Sequence, residues 1–299
     1  MKRIDFLGAN GIGKSTVYAH LLKRRRGAQA PSWLTLIEAK RRIAVQDLMR
    51  RRSTMDLARA ATCYLPKMGK VFAEAYTIRK AENAFAEGGH PYQPFFEHCV
   101  ETLMGAARPS SQRTAQGTEG MQRVVGGMGV AIPGPMTTPL PAAAVRKGVT
   151  PTQYLSLSRI FGRLKELCLL EPLEETVVFD ESLTHTLTGM LTDIPSDLSV
   201  RAHFEEIPLP DGVVHLRASE DEVLRRIFIK QRSRGPIVRH RGLDEDELRR
   251  KARRTLRIAE IGASTLEWRG ARMLRIDATE EPEANAEKIE EFIGRMESV

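Results

Sequence analysis

The chain carries GANGIGKS at residues 8–15, a match to G-x-x-x-x-G-K-[ST], the pattern of a loop that binds the phosphates of a nucleoside triphosphate. Residues 4–7 before it, IDFL, predict a short buried strand, and residues 14–26 after it predict a helix that Gly27 ends. Strand, glycine-rich loop and helix is the order that such a loop requires. The stretch therefore predicts an α/β fold with a nucleotide site after its first strand.

Each residue type in this loop has a role in phosphate binding. The glycines let the backbone curl so that successive N–H groups and the positive end of the helix face the phosphates. We expect Lys14 to reach the β- and γ-phosphates and Ser15 to ligate Mg²⁺. The residues expected to contact the nucleotide are Gly8, Asn10, Gly11, Ile12, Gly13, Lys14, Ser15 and Thr16.

Length and composition restrict the class of protein. The chain has 299 residues, of which 41% are hydrophobic, and this is enough for a sizeable core. Cys63, Cys99 and Cys168 are far apart and form no C-x-x-C pair, which favours reduced thiols over a disulfide framework or a zinc site. There is no apolar signal segment and no run of about 18 apolar residues, so we expect a soluble, cytoplasmic protein without a membrane partner.

The chain is basic, with a net charge of +8, and its arginines concentrate in residues 50–52, 225–241 and 249–257. They are not spread between aromatic residues, as they are in many tracks for single-stranded nucleic acid. A phosphate-rich small ligand accounts for part of the charge equally well. We therefore expect a small-molecule partner, and a nucleic-acid end kinase stays as a less favoured alternative.

Between the first helix and the middle of the chain, the pattern changes several times. Residues 33–37 predict a second strand, or alternatively residues 37–50 begin a helix. Residues 54–87 have helical spacing, which Gly88-Gly89 ends. Residues 105–151 instead cluster Gly, Pro, Ser and Thr, and this predicts a long mobile loop or insertion.

The second half of the chain returns to regular periodicity. Helices are predicted over residues 152–170, after Ser219, from Asp244 and Glu247 onward, and over residues 284–296, and strands over residues 176–179, 213–216 and 273–276. Strands that alternate with helices imply a parallel sheet covered on both faces. The predicted architecture is an α/β core of residues 1–89 and 152–299, with residues 90–151 as an insertion and candidate acceptor lid.

Two carboxylates follow the predicted strand TVVF at residues 176–179. An acidic residue at the end of a neighbouring apolar strand is where such folds hold the metal ion of a bound triphosphate. We therefore assign Asp180 to the Mg²⁺ shell, directly or through water. Glu181 has three open roles: it orients a nucleophile, contacts the acceptor substrate, or is a solvated acid of the following turn.

Arginines follow the predicted helix that starts after Ser219. Phosphoryl transfer needs cations on the developing charge, and a closing arginine lid supplies them while it excludes water. Arg226, Arg232 and Arg234 are placed to form such a lid. The candidate catalytic residues are thus Lys14, Asp180, Glu181, Arg226, Arg232 and Arg234.

Together these elements resemble the thymidylate kinase and deoxynucleoside kinase group of P-loop kinases, over residues 1–27 and about 174–299. The resemblance rests on GANGIGKST at 8–16, VVFDES at 177–182, GVVHLRASEDEVLRRI at 212–227, QRSRGP at 231–236 and LRIDATEEPEANAEKI at 274–289. It implies ATP and Mg²⁺ as cofactors and transfer of the γ-phosphate to a nucleoside, nucleotide or other hydroxyl-bearing metabolite. Glu181 departs from the family, which has an arginine that grips phosphate at this position.

Several alternatives remain open at this point. A motor or regulatory ATPase would use Asp180-Glu181 as a true Asp-Glu pair in which Glu181 activates water, whereas a GTPase is disfavoured because the chain has no Asn-Lys-x-Asp element. In a kinase, Glu38 is the nearest candidate for the base that takes the acceptor proton. Candidate pocket residues are Tyr92, Phe95, Phe96 and His98. The acceptor, the choice of ATP over GTP and a homodimeric assembly all stay open.

Overall fold

The structure is a computed structural model that describes residues 1–27, 32–50, 92, 94–95, 98–99, 101–102, 151–194, 196–234 and 243–297. Three sequence predictions lie outside these residues. They are the helix over residues 54–87, its end at Gly88-Gly89, and the loop up to residue 150.

Five parallel strands form one sheet, in the order β2-β3-β1-β4-β5. The strands are β1 (Lys2–Leu7), β2 (Trp33–Thr35), β3 (Thr176–Phe179), β4 (Gly212–Arg217) and β5 (Arg272–Asp277). The register places Asp5 opposite Phe179 and Leu7 opposite His215. The strand that leads into the phosphate loop therefore lies at the centre, and the carboxyl ends of its two neighbours open at the same edge.

Helices connect the strands, as the alternating pattern predicts. They are α1 (Lys14–Gly27), α2 (Leu36–Arg50), α3 (Pro151–Leu170), α4 (Leu183–Met190), α5 (Asp197–Glu206), α6 (Glu220–Arg234), α7 (Glu245–Trp268) and α8 (Pro282–Glu297). The parallel sheet with its flanking helices is the kinase-like α/β fold of P-loop NTPases. None of the described helices combines the length and the apolar character that a membrane crossing needs.

Apolar layers cover both faces of the sheet because side chains alternate along β1. Ile4 and Phe6 face the layer that α1, α6 and α8 supply, whereas Leu7 faces the layer of α3, α4, α5 and α7. Full burial of such a side chain contributes about 1.5–3 kcal/mol. The paired layers hold the central strand, and with it the start of the phosphate loop, in a fixed place.

Residues 33–50, for which the sequence allowed either a strand or a helix, form first a strand and then a helix. β2 ends at Thr35 and α2 begins at Leu36, so the predicted strand over residues 33–37 is too long. The reason is a capping box: the Thr35 N–H donates to Glu38 Oε2 at 2.9 Å, and the Glu38 N–H donates to Thr35 Oγ1 at 3.2 Å. This reciprocal pair satisfies backbone donors at the helix start and ends the strand there.

Candidate nucleotide site

The phosphate loop connects β1 to α1, and two of its glycines are required by geometry. Gly11 and Gly13 have φ angles of 85° and 107°, in the left-handed region that favours glycine. A Cβ at Gly11 would lie 2.8 Å from Ile227 Cγ1, and one at Gly13 would lie 2.5 Å from Arg226 Nη1. The loop thus packs directly on α6, without room for side chains at these two positions.

The Lys14 side chain folds back over the loop. Its ammonium donates hydrogen bonds to the carbonyl oxygens of Gly8 at 2.7 Å and Ala9 at 2.8 Å. Burial lowers the pKa of Lys14 to about 7, with the charge of Glu181 opposing this shift and that of Lys230 adding to it. A buried cation whose hydrogen bonds go to two neutral carbonyl oxygens can transfer to an incoming phosphate.

Arg226 on α6 braces the same loop. Its Nη1 donates to the Ile12 carbonyl oxygen at 2.6 Å, its Nη2 donates to the Ala278 carbonyl oxygen at 2.7 Å, and its Nε bonds Glu222. The guanidinium therefore joins the loop to the segment after β5. Of the predicted lid arginines, Arg226 forms part of the wall of the loop, and the exposed Arg232 lies near the end of α6.

The predicted carboxylates come to the side of the loop. Because β3 pairs with β1 so that Phe179 lies opposite Asp5, the next two residues, Asp180 and Glu181, run alongside the end of β1. Burial raises the pKa of Tyr18 on α1, and the charge of Asp180 raises it further. Asp180 therefore lies within electrostatic reach of the helix that starts at the phosphate loop.

Ser182 anchors the turn that carries these carboxylates. Its buried hydroxyl donates to the Phe6 carbonyl oxygen at 3.1 Å and accepts from the His185 N–H at 3.2 Å, which caps α4. A second hydroxyl, that of Thr184, lies 2.6 Å away. This anchoring fixes the position of Glu181 relative to β1 and hence to the loop.

The donor set for a metal ion at this edge fits Mg²⁺. Ser15 is exposed at the start of α1, and Asp180 is half-buried. Mg²⁺ commonly takes one or two protein oxygens and completes its shell with water and phosphate oxygens. In the described ranges no group of three or more His, Cys, Asp or Glu side chains could hold a metal, so an ion held by Ser15 and Asp180 would take its other ligands from the nucleotide and water.

Glu181 contacts a cation that the sequence analysis missed. Its side chain is 73% exposed, and Arg163 Nη2 on α3 lies 3.3 Å from its Oε2. Arg163 Nη1 donates to Glu166 at 2.6 Å, and Lys40 donates to the other oxygen of Glu166, also at 2.6 Å. These residues form a chain of alternating charge, the Arg163 network, that links α2, α3 and the turn after β3. The contact joins two elements, and no local sequence pattern signals it.

Glu38, the candidate base, is fully engaged in structural contacts. Arg25 Nη1 donates to its Oε1 at 2.8 Å, while the backbone N–H and the hydroxyl of Thr35 both donate to its Oε2. Burial acts to raise the pKa of Glu38, but these hydrogen bonds outweigh it and lower the pKa. Its carboxylate caps α2, and we do not retain it as the acceptor base.

The aromatic residues considered for an acceptor pocket take part in packing where they are described. Phe95 is buried in the apolar layer of α3, α4, α5 and α7, and Tyr92 packs against that layer. The ring of His98 lies 4.4 Å from that of His203 on α5. Phe96 lies outside the described residues. The described members of this group therefore support the core.

The positive charges of arginines in the first half of α7 are paired with carboxylates of the protein itself. Arg249 pairs with Asp221 at 2.9 Å, Arg253 pairs with Glu220 at 2.8 Å, and Arg254 contacts Asp197. Such pairing reduces the positive field that a nucleic-acid backbone would meet at this helix.

Comparisons with known proteins find a likeness among solved structures. No protein-family model and no curated protein matches the chain. Among solved structures, the chain is similar to one described as deoxyadenosine kinase from M. mycoides with products dCMP and a flexible dCDP bound, at 13% sequence identity and a TM-score of 0.44, over 100% of both chains. The dCMP and dCDP in that structure are ligands of that enzyme.

Proposed function

We propose that the protein is an ATP- and Mg²⁺-dependent kinase that transfers the γ-phosphate to a small hydroxyl-bearing acceptor, such as a nucleoside, a nucleotide or another metabolite. The observation that carries the proposal is the juxtaposition of Lys14, Asp180 and Glu181 at the carboxyl edge of the sheet. A cation for the phosphates, an oxygen ligand for the metal and a further carboxylate are groups that phosphoryl transfer uses.

The donor half of the site is built from the loop and its supports. Backbone N–H groups at the start of α1 face the phosphates, and Lys14 leaves the Gly8 and Ala9 carbonyls to bind them. Ser15 and Asp180 hold Mg²⁺, which when bound neutralises charge that develops on the phosphates. Positioning and charge stabilisation account for most of catalysis in this chemistry.

The end of α6 supplies cations on closure. Arg234 is the last residue of that helix, and Arg232 lies two residues before it. Both follow Arg226, which braces the loop. We assign the two terminal arginines to a lid that covers the phosphates and excludes water. Arg226 keeps the loop in the shape that the phosphates require.

The exposure of Glu181 favours a second candidate function. A carboxylate that is 73% exposed beside Asp180 can contact water as readily as an acceptor hydroxyl. In that case the protein is a P-loop ATPase in which Glu181 activates water.

ADP formation separates the two functions. The rate is measured with ATP and Mg²⁺ alone and then with each member of a panel of nucleosides, nucleoside monophosphates, sugars and oligonucleotides, and the product mass identifies the acceptor. A kinase shows slow hydrolysis alone and fast turnover with an acceptor that gains one phosphoryl group. Acceptor-independent turnover that Glu181→Gln abolishes would establish the ATPase.

A matched pair of lysine variants tests the phosphate loop itself. Lys14→Ala removes the buried cation at the loop, whereas Lys23→Ala removes an exposed cation from the same helix. We expect Lys14→Ala to lose turnover with an unchanged circular dichroism spectrum and Lys23→Ala to keep it. Full turnover in Lys14→Ala would contradict the nucleotide site.

A further inference from the structure

We propose that Glu181 orients the acceptor hydroxyl and receives its proton, and that Arg163 is the positioning residue that holds Glu181 for this task. The inference rests on the proposed kinase function. It assigns the acceptor-side chemistry to a carboxylate and an arginine on different elements, joined by the 3.3 Å contact between Arg163 Nη2 and Glu181 Oε2.

The position of Glu181 places it next to the transferred group. The carboxylate lies close enough to Lys14 for its charge to oppose the effect of burial on the pKa of that lysine. Lys14 is the residue that reaches the β- and γ-phosphates in this kind of loop. A group beside both Lys14 and Asp180 therefore lies within reach of an acceptor that approaches the γ-phosphate.

The other carboxylates described at this edge have different tasks. Asp180 is assigned to the metal, and both oxygens of Glu38 are bonded by Arg25 and Thr35. Asp277, which ends β5, accepts from the N–H and the hydroxyl of Thr279 through one oxygen, Oδ1. Asp277 is also exposed, but it ends the edge strand β5, whereas Glu181 follows β3, which pairs directly with the strand that leads into the phosphate loop. The 73% exposed side chain of Glu181 is accessible to a hydroxyl from solvent.

Arg163 is held by Glu166 on one side, which leaves its other nitrogen to fix Glu181. Its Nη1 is bound by Glu166, and Glu166 is held in turn by the buried Lys40. The guanidinium plane is therefore set by the helices, and its Nη2 points to one oxygen of Glu181. An exposed carboxylate on its own samples several rotamers, and a fixed cation reduces that freedom.

In the proposed reaction, one bond to the γ-phosphorus forms as another breaks, and the proton passes to Glu181. The acceptor oxygen forms a bond to the γ-phosphorus, while the bond between that phosphorus and the bridging oxygen to the β-phosphate breaks and ADP leaves. The hydroxyl proton passes along its hydrogen bond to the Glu181 carboxylate and from there to water. Alignment of the attacking oxygen matters in this chemistry, because a displacement of about 1 Å reduces the rate about 100-fold.

Four variants test the pair in the full-length protein with the acceptor found in the panel. We expect Glu181→Gln to lower kcat about 100- to 10,000-fold with little change in KM for ATP, because the amide cannot accept the proton. Arg163→Ala should lower kcat about 10- to 100-fold. Arg163→Lys should recover part of that loss, because an ammonium reaches one oxygen but cannot bridge two carboxylates.

The double variant carries the decisive readout. If Arg163 acts through Glu181, adding Arg163→Ala to Glu181→Gln lowers kcat by less than about threefold further. Independent effects that multiply would overturn the positioning role, and a wild-type kcat in Glu181→Gln would overturn the whole inference. Melting midpoints verify folding, and we expect Glu166 to stay paired with Lys40, 2.6 Å away, when Arg163 is replaced.

Two control variants carry the same chemical changes away from the site. Arg201→Ala removes an exposed arginine whose partner is Glu205 on the same helix, and Glu171→Gln neutralises an exposed carboxylate before β3. Both should keep the wild-type kcat. If the wild type phosphorylates no acceptor, the proposed function fails; if it does and Glu181→Gln keeps its kcat, this inference alone fails.

Discussion

Arg226 donates a hydrogen bond to the carbonyl oxygen of Ile12 at 2.6 Å, across 214 positions of sequence. The donor is on α6 and the acceptor is in the phosphate loop, so a helix from the second half of the chain sets the shape of a loop at its start. The same guanidinium also bonds Ala278, after β5. One side chain therefore joins three segments: α6, the phosphate loop and the turn after β5.

Replacement of this side chain should weaken ATP binding. A charge-assisted hydrogen bond contributes about 1.5–3 kcal/mol, so we expect Arg226→Ala to raise the Kd for ATP about 10- to 100-fold in calorimetry. The neighbouring Arg225 is exposed and donates two hydrogen bonds to Glu222, which Arg226 also contacts, so Arg225→Ala is the matched control that leaves the bonds from Arg226 to the loop in place and the Kd unchanged. Equal Kd values for the two variants would contradict a bracing role.

ATP binding should depend on pH through Lys14. Burial lowers the pKa of Lys14 to about 7 in the nucleotide-free protein, and phosphates favour the charged form. Above pH 7 binding must therefore take up a proton, so the Kd should rise with pH by up to about tenfold per unit. Calorimetry in two buffers of different ionisation enthalpy counts the protons. The Lys14→Gln variant lacks this lysine but keeps the other titratable groups. If its Kd changes with pH as steeply as that of the wild type, Lys14 is not the group responsible.

Acid should destabilise the protein through His215. This residue of β4 is buried, and desolvation lowers the pKa of His215 to about 4, with the charges of Arg217 and Arg275 adding to the effect and Glu260 opposing it. Because the unfolded chain binds the proton at higher pH, stability is present above pH 6.5 and is lost as pH falls toward 4.

The size of this acid effect can be measured against a variant that cannot titrate. The shift corresponds to about 3 kcal/mol, and His215→Gln should show a smaller loss of unfolding free energy between pH 7 and pH 4 by about that amount. Urea titrations at several pH values measure it. Parallel stability curves for the two proteins would show that His215 does not contribute.

Two helical glycines should respond in opposite ways to alanine. A Cβ at Gly262 on α7 would lie 2.5–2.9 Å from three ring atoms of Phe204, whereas a Cβ at Gly294 on α8 meets nothing within 4 Å. Gly262→Ala should destabilise the protein by about 1–3 kcal/mol through overpacking. Gly294→Ala should stabilise it by about 0.5–1 kcal/mol, because alanine is the better helix former. Chemical denaturation measures the unfolding free energy of both variants. Changes of the same sign in the two would contradict the packing described.

The sequence predicted the fold because its signals are local. The loop pattern lies between an apolar run and a helical one, and the structure has β1 and α1 at those places. The predicted start of α7 at Asp244 and Glu247 is confirmed by their capping box, and the predicted strand over residues 213–216 is confirmed within Gly212–Arg217. Each of these signals is complete within a few neighbouring residues.

The site was less predictable because its key contacts join distant elements. Nothing near Arg163 indicates that its partner is Glu181, since the pairing depends on how α3 lies against the end of β3. Glu38 shows the opposite case: Thr35-x-x-Glu38 is a local capping pattern, and its carboxylate was instead considered as a base. Contacts between elements are set by packing, which the one-dimensional pattern does not encode.

The central place of β1 has a consequence for how the protein opens. β1 has bonded strands on both sides, whereas β2 is a three-residue strand at an edge. Backbone amides of an edge strand exchange their hydrogens through local fluctuations, but those of a central strand exchange through openings close to global unfolding. The phosphate loop therefore follows directly on a strand whose amides we expect to exchange more slowly than those of β2, so its anchor should persist until global unfolding.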